Sequence, residues 1–321
     1  MRNKKSWKNR LFALVLCALA LLFAGCGQAR GPAGRPGLDP QPFTPPQGAL
    51  LPKTGLQSLL CIGIGYDGQG RSLVSSLQLL VLDERAEKLA IYSVPIETKA
   101  VFWRYEGETL REVREEVRLA YSAADAAGRG EGNVLEAVSQ ILLGAPIDHY
   151  IVMNAVQLEG INEILGDVPL DVDADFAAAY GLGEGLQPLG QRLAEYASFT
   201  PRDADGSPYP GTDERRLGRH RGMALRFLQA LASSGRGEEG AGEILHAART
   251  SMRAEELLAF ARGALAASGV SEPETGRIPG EDRRSGPESE YLPDDVALRD
   301  LVLSLFFEEP AQGSAEYSDE K

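Results

Sequence analysis

The stretch Leu59-Leu60-Cys61-Ile62-Gly63-Ile64 is a short, continuous apolar run. Such a run is typical of a strand covered on both faces of a sheet, because no side of it is left polar for solvent. A Gly-rich turn at residues 65–71 and a second apolar run at residues 77–82 follow it. A polar hairpin loop then leads into a third run at residues 89–95. The folded part is therefore predicted to begin with three strands, with Cys61 as a small core residue.

Helical patterns alternate with further strands downstream. They lie at residues 134–143 (helix), 149–153 (strand), 158–165 (helix) and 168–172 (strand). Asn133 is a candidate N-cap of the first helix, and Gly144 closes it. Residues 101–118 are polar and show no period that assigns them to a helix or a strand. The alternation of strands with helices indicates an α/β layered domain.

Four arginines crowd the predicted start of a helix: Arg215, Arg216, Arg219 and Arg221. The helix should begin near Thr212, where a turn and an N-cap precede apolar residues at helical spacing. Cations are unfavourable there, because a helix N-terminus already carries partial positive charge. The cluster is explained if a phosphate lies among the side chains, and Arg216 and Arg219, three apart, should share one face. A solvated basic face balanced by neighbouring acids explains it equally well.

Beyond this helix, residues 235–242 are predicted to form a break and residues 243–267 one or two helices. Asp294 should open a terminal helix through residue 307. Residues 308–321 are acidic and form a tail that we expect to be disordered.

Charge and cysteine content exclude several classes of protein. The chain has 321 residues and a formal net charge of -13, so general attraction to nucleic acid is not expected. Its three cysteines are Cys17, Cys26 and Cys61, and no two of them lie in the predicted mature fold. An internal disulfide framework is therefore excluded.

The N-terminus has the pattern of an export signal. A basic start precedes an apolar run at residues 11–24, and a Gly25-Cys26 junction follows at once. The ending Leu22-Phe23-Ala24-Gly25-Cys26 resembles the lipobox of bacterial lipoproteins, with Phe23 where Leu is usual. The resemblance implies a signal peptide at residues 1–25, acylation of Cys26 and a lipid anchor on the extracytoplasmic face of the cell membrane. An uncleaved membrane anchor is the alternative. Residues 26–56 are rich in Pro and Gly and are predicted to be a tether.

The order of the elements resembles the LytR-CpsA-Psr family of bacterial envelope proteins. Ser93-Val94-Pro95-Ile96-Glu97-Thr98 stands where the family tends to read Ser-Ile-Pro-Arg-Asp-Thr. Asp213, Arg216 and Arg219 fall on its Asp-x-x-Arg-x-x-Arg. Other matching stretches are residues 60–63, 79–98, 143–150, Asn154, 160–171, 279–280 and 291–294. The resemblance implies a three-layer α-β-α domain with a central mixed sheet at residues 57–307.

The resemblance also implies a function. Family members look like transferases that move a phosphate-linked glycopolymer from a polyprenyl pyrophosphate carrier to peptidoglycan. Arg216 and Arg219 would be the catalytic arginines, and Mg²⁺ the cofactor. Arginines and a metal ion suit this chemistry, because phosphoryl transfer depends mainly on positioning and on stabilising negative charge.

Several positions depart from the family pattern. Gly65 and Ser75 stand where the family carries acids, and Ile96 where it carries an arginine. The arginine pair after the tyrosine of the family falls at Ser198 and Thr200. Serine is a poor Mg²⁺ ligand in place of aspartate.

Nearby residues are candidates to replace the missing groups. They are Arg71, Arg202, Arg215 and Arg221 for phosphate binding, and Asp67 and Glu97 for the metal. Two hypotheses stay open: an active glycopolymer transferase, or a catalytically degenerate binding or scaffold lipoprotein that still recognises polyprenyl phosphate or cell-wall glycopolymer. Convergence of these side chains with Arg216 and Arg219 around one cavity would favour the enzyme.

Overall fold

The computed structural model describes residues 51–106, 109–201, 212–285 and 288–308. The predicted signal peptide, Cys26 as the predicted acylation site, most of the predicted tether, Arg202 and the acidic tail after residue 308 lie outside these ranges.

The described strands are β1 (Leu51–Pro52), β2 (Leu56–Tyr66), β3 (Ser72–Asp83), β4 (Lys88–Ser93), β5 (Lys99–Glu106), β6 (Thr109–Glu116), β7 (His149–Asn154), β8 (Leu170–Val172), β9 (Gly185–Gln187), β10 (Arg249–Thr250), β11 (Glu274–Arg277), β12 (Gly280–Ser285), β13 (Glu288–Pro293) and β14 (Phe307–Glu308). The described α-helices are α1 (Ala120–Asp125), α2 (Gly130–Ile141), α3 (Ala155–Ile164), α4 (Ala174–Tyr180), α5 (Leu193–Ser198), α6 (Thr212–Ser233), α7 (Gly237–Ala247), α8 (Ala254–Val270) and α9 (Asp295–Phe306). Among these residues, no helix is both long and apolar enough to cross a membrane.

The central sheet has the strand order β10-β7-β2-β3-β4-β11 in the described chain. β3 pairs antiparallel with both β2 and β4, whereas β7 runs parallel to β2 and β11 runs parallel to β4. The sheet is therefore mixed, as expected. The three strands predicted from the apolar runs are all present, and β2 and β3 extend well beyond those runs because their ends pair with each other up to Tyr66 and Ser72.

Both faces of the sheet carry a hydrophobic core, because consecutive apolar residues of a strand point to opposite sides. Leu60 and Leu79 face one side, where the β5–β6 hairpin, α1, α2 and α9 cover them. Leu59, Leu80 and Leu82 face the other side and pack against α6, α7 and α8. The predicted three-layer α-β-α arrangement is confirmed.

A third, smaller cluster lies beyond the sheet. It is built by β8, α4 and α5, with Phe176 fully buried at its centre, and Met223 of α6 packs against it. Helix α6 therefore separates this cluster from the core on its side of the sheet. The prediction that this helix begins near Thr212 is confirmed.

One stretch that the sequence leaves unassigned is now placed, and one local prediction is wrong. Residues 101–118 fall mainly in the β5–β6 hairpin, whose polar sequence is explained because β6 is largely exposed. Asn133 is not an N-cap: it lies inside α2, with its amide donating to the carbonyl oxygens of Trp103 and Ala120 at 2.9 and 2.6 Å. This side chain joins the hairpin to the helix, and a tertiary contact thus overrides its capping tendency.

The helices after α6 match their prediction in part. The break expected at residues 235–242 is shorter, because α7 already begins at Gly237. The region 243–267 holds the end of α7 and most of α8. Asp294 caps α9 as predicted, since its carboxylate accepts hydrogen bonds from the backbone N–H groups of Val296 and Ala297 at 3.0 Å.

Candidate functional site

A cavity of about 500 Å³ lies between the central sheet and helix α6. Its walls come from β2, β3 and β7 on one side and from α3, α5, α6, α7 and α8 on the other. Along α6 the lining runs from Arg216 to Leu231, which corresponds to roughly 22 Å of helix axis. The cavity is therefore long, and its size is within the usual range for small-molecule sites.

The lining changes from polar to apolar along this length. The first turns of α6 contribute Arg216 and His220, whereas the later turns contribute only apolar residues such as Phe227 and Leu231. On the sheet, the polar lining residues are Ser75, Ser76 and Gln78 of β3 and Asn154 at the end of β7. A ligand that has an apolar chain and a polar head group matches this arrangement of apolar and polar side chains.

The polar groups of the two walls are joined by hydrogen bonds. Arg221 reaches from α6 across to β4 and donates from Nη1 to Ser93 Oγ at 3.0 Å. Ser93 Oγ donates in turn to Oε1 of Gln78 at 2.7 Å. These hydrogen bonds connect helix α6 to Gln78 on the sheet wall of the cavity. Arg221 is also paired with Glu214 at 2.6 Å.

Arg216 and Arg219, which were expected to share one face, do not line the same cavity. Arg216 borders the large cavity, whereas Arg219 borders a second one of about 290 Å³ on another side of α6. Three residues along an α-helix leave two side chains about 60° apart, which is enough to separate them here.

Intramolecular contacts hold the Arg219 guanidinium. It donates to Asp173 Oδ2 at 2.7 Å and to the carbonyl oxygens of Tyr196 and Phe199, and it lies over both of these aromatic rings. Its side chain is almost fully buried. Arg219 therefore fixes α5 and the start of α4 against α6, and the structure gives it a positioning role.

Arg215 and Arg71 lie away from the large cavity. Arg215 forms an ion pair with Asp175 and borders the second cavity. Arg71 forms an ion pair with Asp67 at 2.6 Å in the loop between β2 and β3. Neither arginine joins Arg216 in the described structure.

Asp67 and Glu97 also do not meet at the large cavity. The two oxygens of Asp67 accept the backbone N–H groups of Gln69 and Arg71 and the Nε of Arg71, so this carboxylate closes its own loop. These hydrogen bonds, led by those from Arg71, lower the pKa of Asp67. Glu97 follows β4 and accepts the N–H of Tyr291 with its carbonyl oxygen at 3.3 Å.

The described lining of the cavity offers Mg²⁺ no cluster of carboxylates, because Glu195 is its single acidic residue. Magnesium prefers carboxylate and phosphate oxygens in octahedral geometry, whereas Gly65 and Ser75 supply no carboxylate. In the described residues, no group of three or more His, Cys, Asp and Glu side chains is placed to hold a metal ion. The hydrogen-bond donors that this lining does contain include the guanidinium of Arg216 and the hydroxyl groups of Ser75 and Ser76.

His220 is buried beside Arg216, and its side chain is only 8% exposed. Its Nε2 lies 2.7 Å from the carbonyl oxygen of Ala197, so Nε2 carries the proton and donates it there. Burial, helped by the nearby positive charges of Arg216, Arg219 and Arg221, lowers the pKa of His220 to about 4. The imidazole is thus neutral at pH 7.

Cys61 lies in β2 and borders the cavity, so it is only partly packed into the core. Burial raises the pKa of its thiol to about 12. A thiol in this state is a weak nucleophile, as expected from its apolar surroundings.

Neither Gln78 nor His220 is predicted from the sequence as a site residue. A signal exists for Gln78, because it is the one polar residue inside the apolar run at residues 77–82. His220 follows Arg219 directly within the basic cluster. Sequence alone gives no reason to place it against a carbonyl oxygen of α5.

Comparison with known proteins establishes the fold. No protein-family model and no curated protein matches the sequence. Solved structures do match: B. subtilis TagV aligns with a TM-score of 0.60 at 22% identity, covering 78% of this chain and 95% of that chain. B. subtilis TagU aligns with a TM-score of 0.54 at 16% identity, covering 78% and 96%.

A structure described as TagT bound to LI-WTA aligns with a TM-score of 0.55 at 15% identity, covering 78% of this chain and 89% of that chain. TagV, TagU and TagT are LytR-CpsA-Psr proteins. At these identities the likeness concerns the backbone, and the chain therefore has a LytR-CpsA-Psr-like α/β fold.

Proposed function

We propose that this protein binds a polyprenyl phosphate or pyrophosphate that carries a cell-wall glycopolymer. The prenyl chain occupies the apolar length of the cavity, and the phosphate lies against Arg216. The observation that carries this function is the long apolar cavity, whose polar end holds an arginine from the start of α6.

The apolar part of the cavity suits a hydrocarbon chain. Each buried methylene contributes about 0.8 kcal/mol, so several isoprene units supply substantial binding free energy. The walls are formed by leucine, isoleucine and phenylalanine side chains of both layers, among them Leu80, Phe227 and Leu257. A ligand without a long apolar part leaves most of this surface unmatched.

The mouth of the cavity suits a phosphate that bears a glycan. Glu195 and Ser198 of α5 border the cavity and are exposed, so a glycan extends into solvent there. The guanidinium of Arg216 matches a phosphate by paired hydrogen bonds.

Transfer of the glycopolymer to peptidoglycan is the second candidate function. The fold likeness to TagT, described as bound to LI-WTA, favours it. The neutral Gly65 and Ser75 at the cavity, and the positions of Asp67 and Glu97 away from it, favour binding without transfer. The chemistry that both candidates share is recognition of the lipid-linked phosphate.

The site of action follows from the N-terminal sequence. An acylated Cys26 would hold the domain at the extracytoplasmic face of the membrane, where a polyprenyl carrier presents its head group. Peptidoglycan is then the macromolecule within reach.

Calorimetry with the full-length protein tests the function. Farnesyl diphosphate should bind, while inorganic pyrophosphate, which lacks the apolar chain, should bind at least tenfold more weakly. Arg216→Met should weaken farnesyl diphosphate binding by about 10- to 100-fold, because a charge-assisted contact is worth roughly 1.5–3 kcal/mol. Arg226→Met removes an arginine of the same helix that borders only the second cavity, and should bind like the parent.

The same titrations separate the two candidates. Binding that is equal with Mg²⁺ and with a chelator, together with no transfer of a lipid-linked glycopolymer to peptidoglycan, would support binding alone. Binding that tightens with Mg²⁺ and is followed by transfer would support the enzyme. If farnesyl diphosphate does not bind, the site is misassigned.

A further inference from the structure

Gln78 is a buried amide in the middle of the sheet wall of the cavity. It is 3% exposed, and its neighbour Leu80 borders the same cavity from the same face of β3. Among the described residues, its Nε2 atom is buried without a hydrogen-bond partner. A buried N–H group without an acceptor destabilises a fold, so such a group in a residue that borders a cavity points to a ligand that supplies an acceptor.

The orientation of the amide follows from its neighbours. Ser93 Oγ accepts a hydrogen bond from Nη1 of Arg221, so its own proton is available for Gln78. That proton goes to Oε1 of Gln78 at 2.7 Å. The carbonyl side of the amide is therefore occupied, and the donor side, Nε2, is the one without a hydrogen-bond partner.

Arg221 acts on Gln78 through this chain. Hydrogen bonds in series polarise one another, and a positive charge at the start of the series strengthens the last donor. Nε2 of Gln78 is thus a neutral donor made stronger by a guanidinium that does not itself border the cavity.

We propose that Gln78 binds a phosphate oxygen of the ligand through Nε2, with Arg221 and Ser93 as positioning residues. This inference rests on the proposed function and adds a specific contact to it. The head group is held between Arg216 on the helix and Gln78 on the sheet. No metal ion is needed for this recognition, because both contacts are hydrogen-bond donors. Gly65 and Ser75 are neutral and do not repel an anion, as acidic residues at these two positions would. Arginine and neutral donors together bind it.

The test uses the full-length protein and compares Gln78→Met, of similar volume, with the parent. Titrations use farnesyl diphosphate, farnesyl monophosphate and uncharged farnesol. Gln78→Met should bind both phosphates about tenfold more weakly, bind farnesol within twofold of the parent, and unfold at the same or a higher temperature. Ser93→Ala should weaken phosphate binding by about threefold, because it removes only the polarising link.

Gln57→Met is the matched control. Gln57 lies near the start of β2, where its amide donates to Glu84 at 2.7 Å outside the cavity. This variant should bind all three ligands like the parent. If Gln78→Met weakens the binding of only one of the two phosphates, the contact is supported. The result then also shows whether Gln78 contacts a monophosphate or a diphosphate head group.

Two results overturn the contact. If Gln78→Met weakens farnesol as much as the phosphates, Gln78 only shapes the cavity. If it weakens neither, its amide does not touch the ligand. Failure of the proposed function looks different, because the parent itself would then bind none of the three ligands.

Discussion

At the scale of single residues, the charge state of His220 links the site to stability. The folded-state pKa of about 4 lies below the ordinary value of 6.5, so between these values the unfolded chain binds more protons than the folded one. The stability contributed by neutral His220 is therefore fully present above pH 6.5 and is lost as the pH falls toward 4. The surrounding arginines, Arg216, Arg219 and Arg221, act in the same direction.

A substitution measures this contribution. From pH 7.5 to pH 4, His220→Gln should lose less unfolding free energy than the parent, by up to about 3 kcal/mol, because glutamine takes up no proton. Urea unfolding at several pH values gives the comparison. His246→Gln, at an exposed histidine of α7, is the control and should follow the parent. Parallel pH profiles for the parent and His220→Gln would show that His220 is not held neutral by the fold.

At the scale of secondary structure elements, helix α8 depends on close contact with the sheet. A Cβ atom added at Gly263 would lie 2.6 Å from Cδ2 of Leu82, which is itself buried. At Gly269, in the same helix, an added Cβ meets nothing within 4 Å. Close packing against Leu82 therefore explains a glycine at position 263 but not at position 269, although glycine is equally unfavourable for a helix at both positions.

Replacing each glycine by alanine distinguishes a position where close packing requires glycine from one where it does not. Gly269→Ala should raise the unfolding free energy by about 0.5–1 kcal/mol, because it reduces the entropy of the unfolded chain. Gly263→Ala should lower it by about 1–3 kcal/mol, since overpacking of the core exceeds the helix gain. Denaturant unfolding of the two variants gives the values. Stabilisation by Gly263→Ala would mean that α8 does not pack this closely on β3.

The sequence predicts elements better than it predicts the site. Apolar runs identify the buried strands around Leu60 and Leu80, because burial on both faces leaves a continuous signal. The sequence does not reveal that Arg216 and Arg219 border different cavities, because this depends on which carbonyl and carboxylate groups of α4 and α5 lie beside α6. The role proposed for Gln78 likewise depends on its link to Ser93 and Arg221, and Arg221 is distant in sequence.

At the scale of the whole molecule, the net charge of the chain and its predicted lipid anchor have separate effects on membrane binding. With a net charge of -13, the chain has no general attraction for anionic lipid head groups. In the proposed function, the arginine at the cavity binds a phosphate only once the ligand is within reach. We therefore propose that the lipid anchor predicted at Cys26 brings the domain to a membrane-embedded polyprenyl carrier, and that the cavity recognises that carrier.

Replacing the anchor residue tests this division. The parent should incorporate labelled palmitate in cells and sediment with membranes, because two or more acyl chains bind a bilayer stably. Cys26→Ala should incorporate none, whereas the same variant, once purified, should bind farnesyl diphosphate as tightly as the parent, since the cavity is untouched. Continued labelling would place the acyl chains elsewhere. An unlabelled parent that still sediments with membranes would mean that the apolar run at residues 11–24 is itself the anchor.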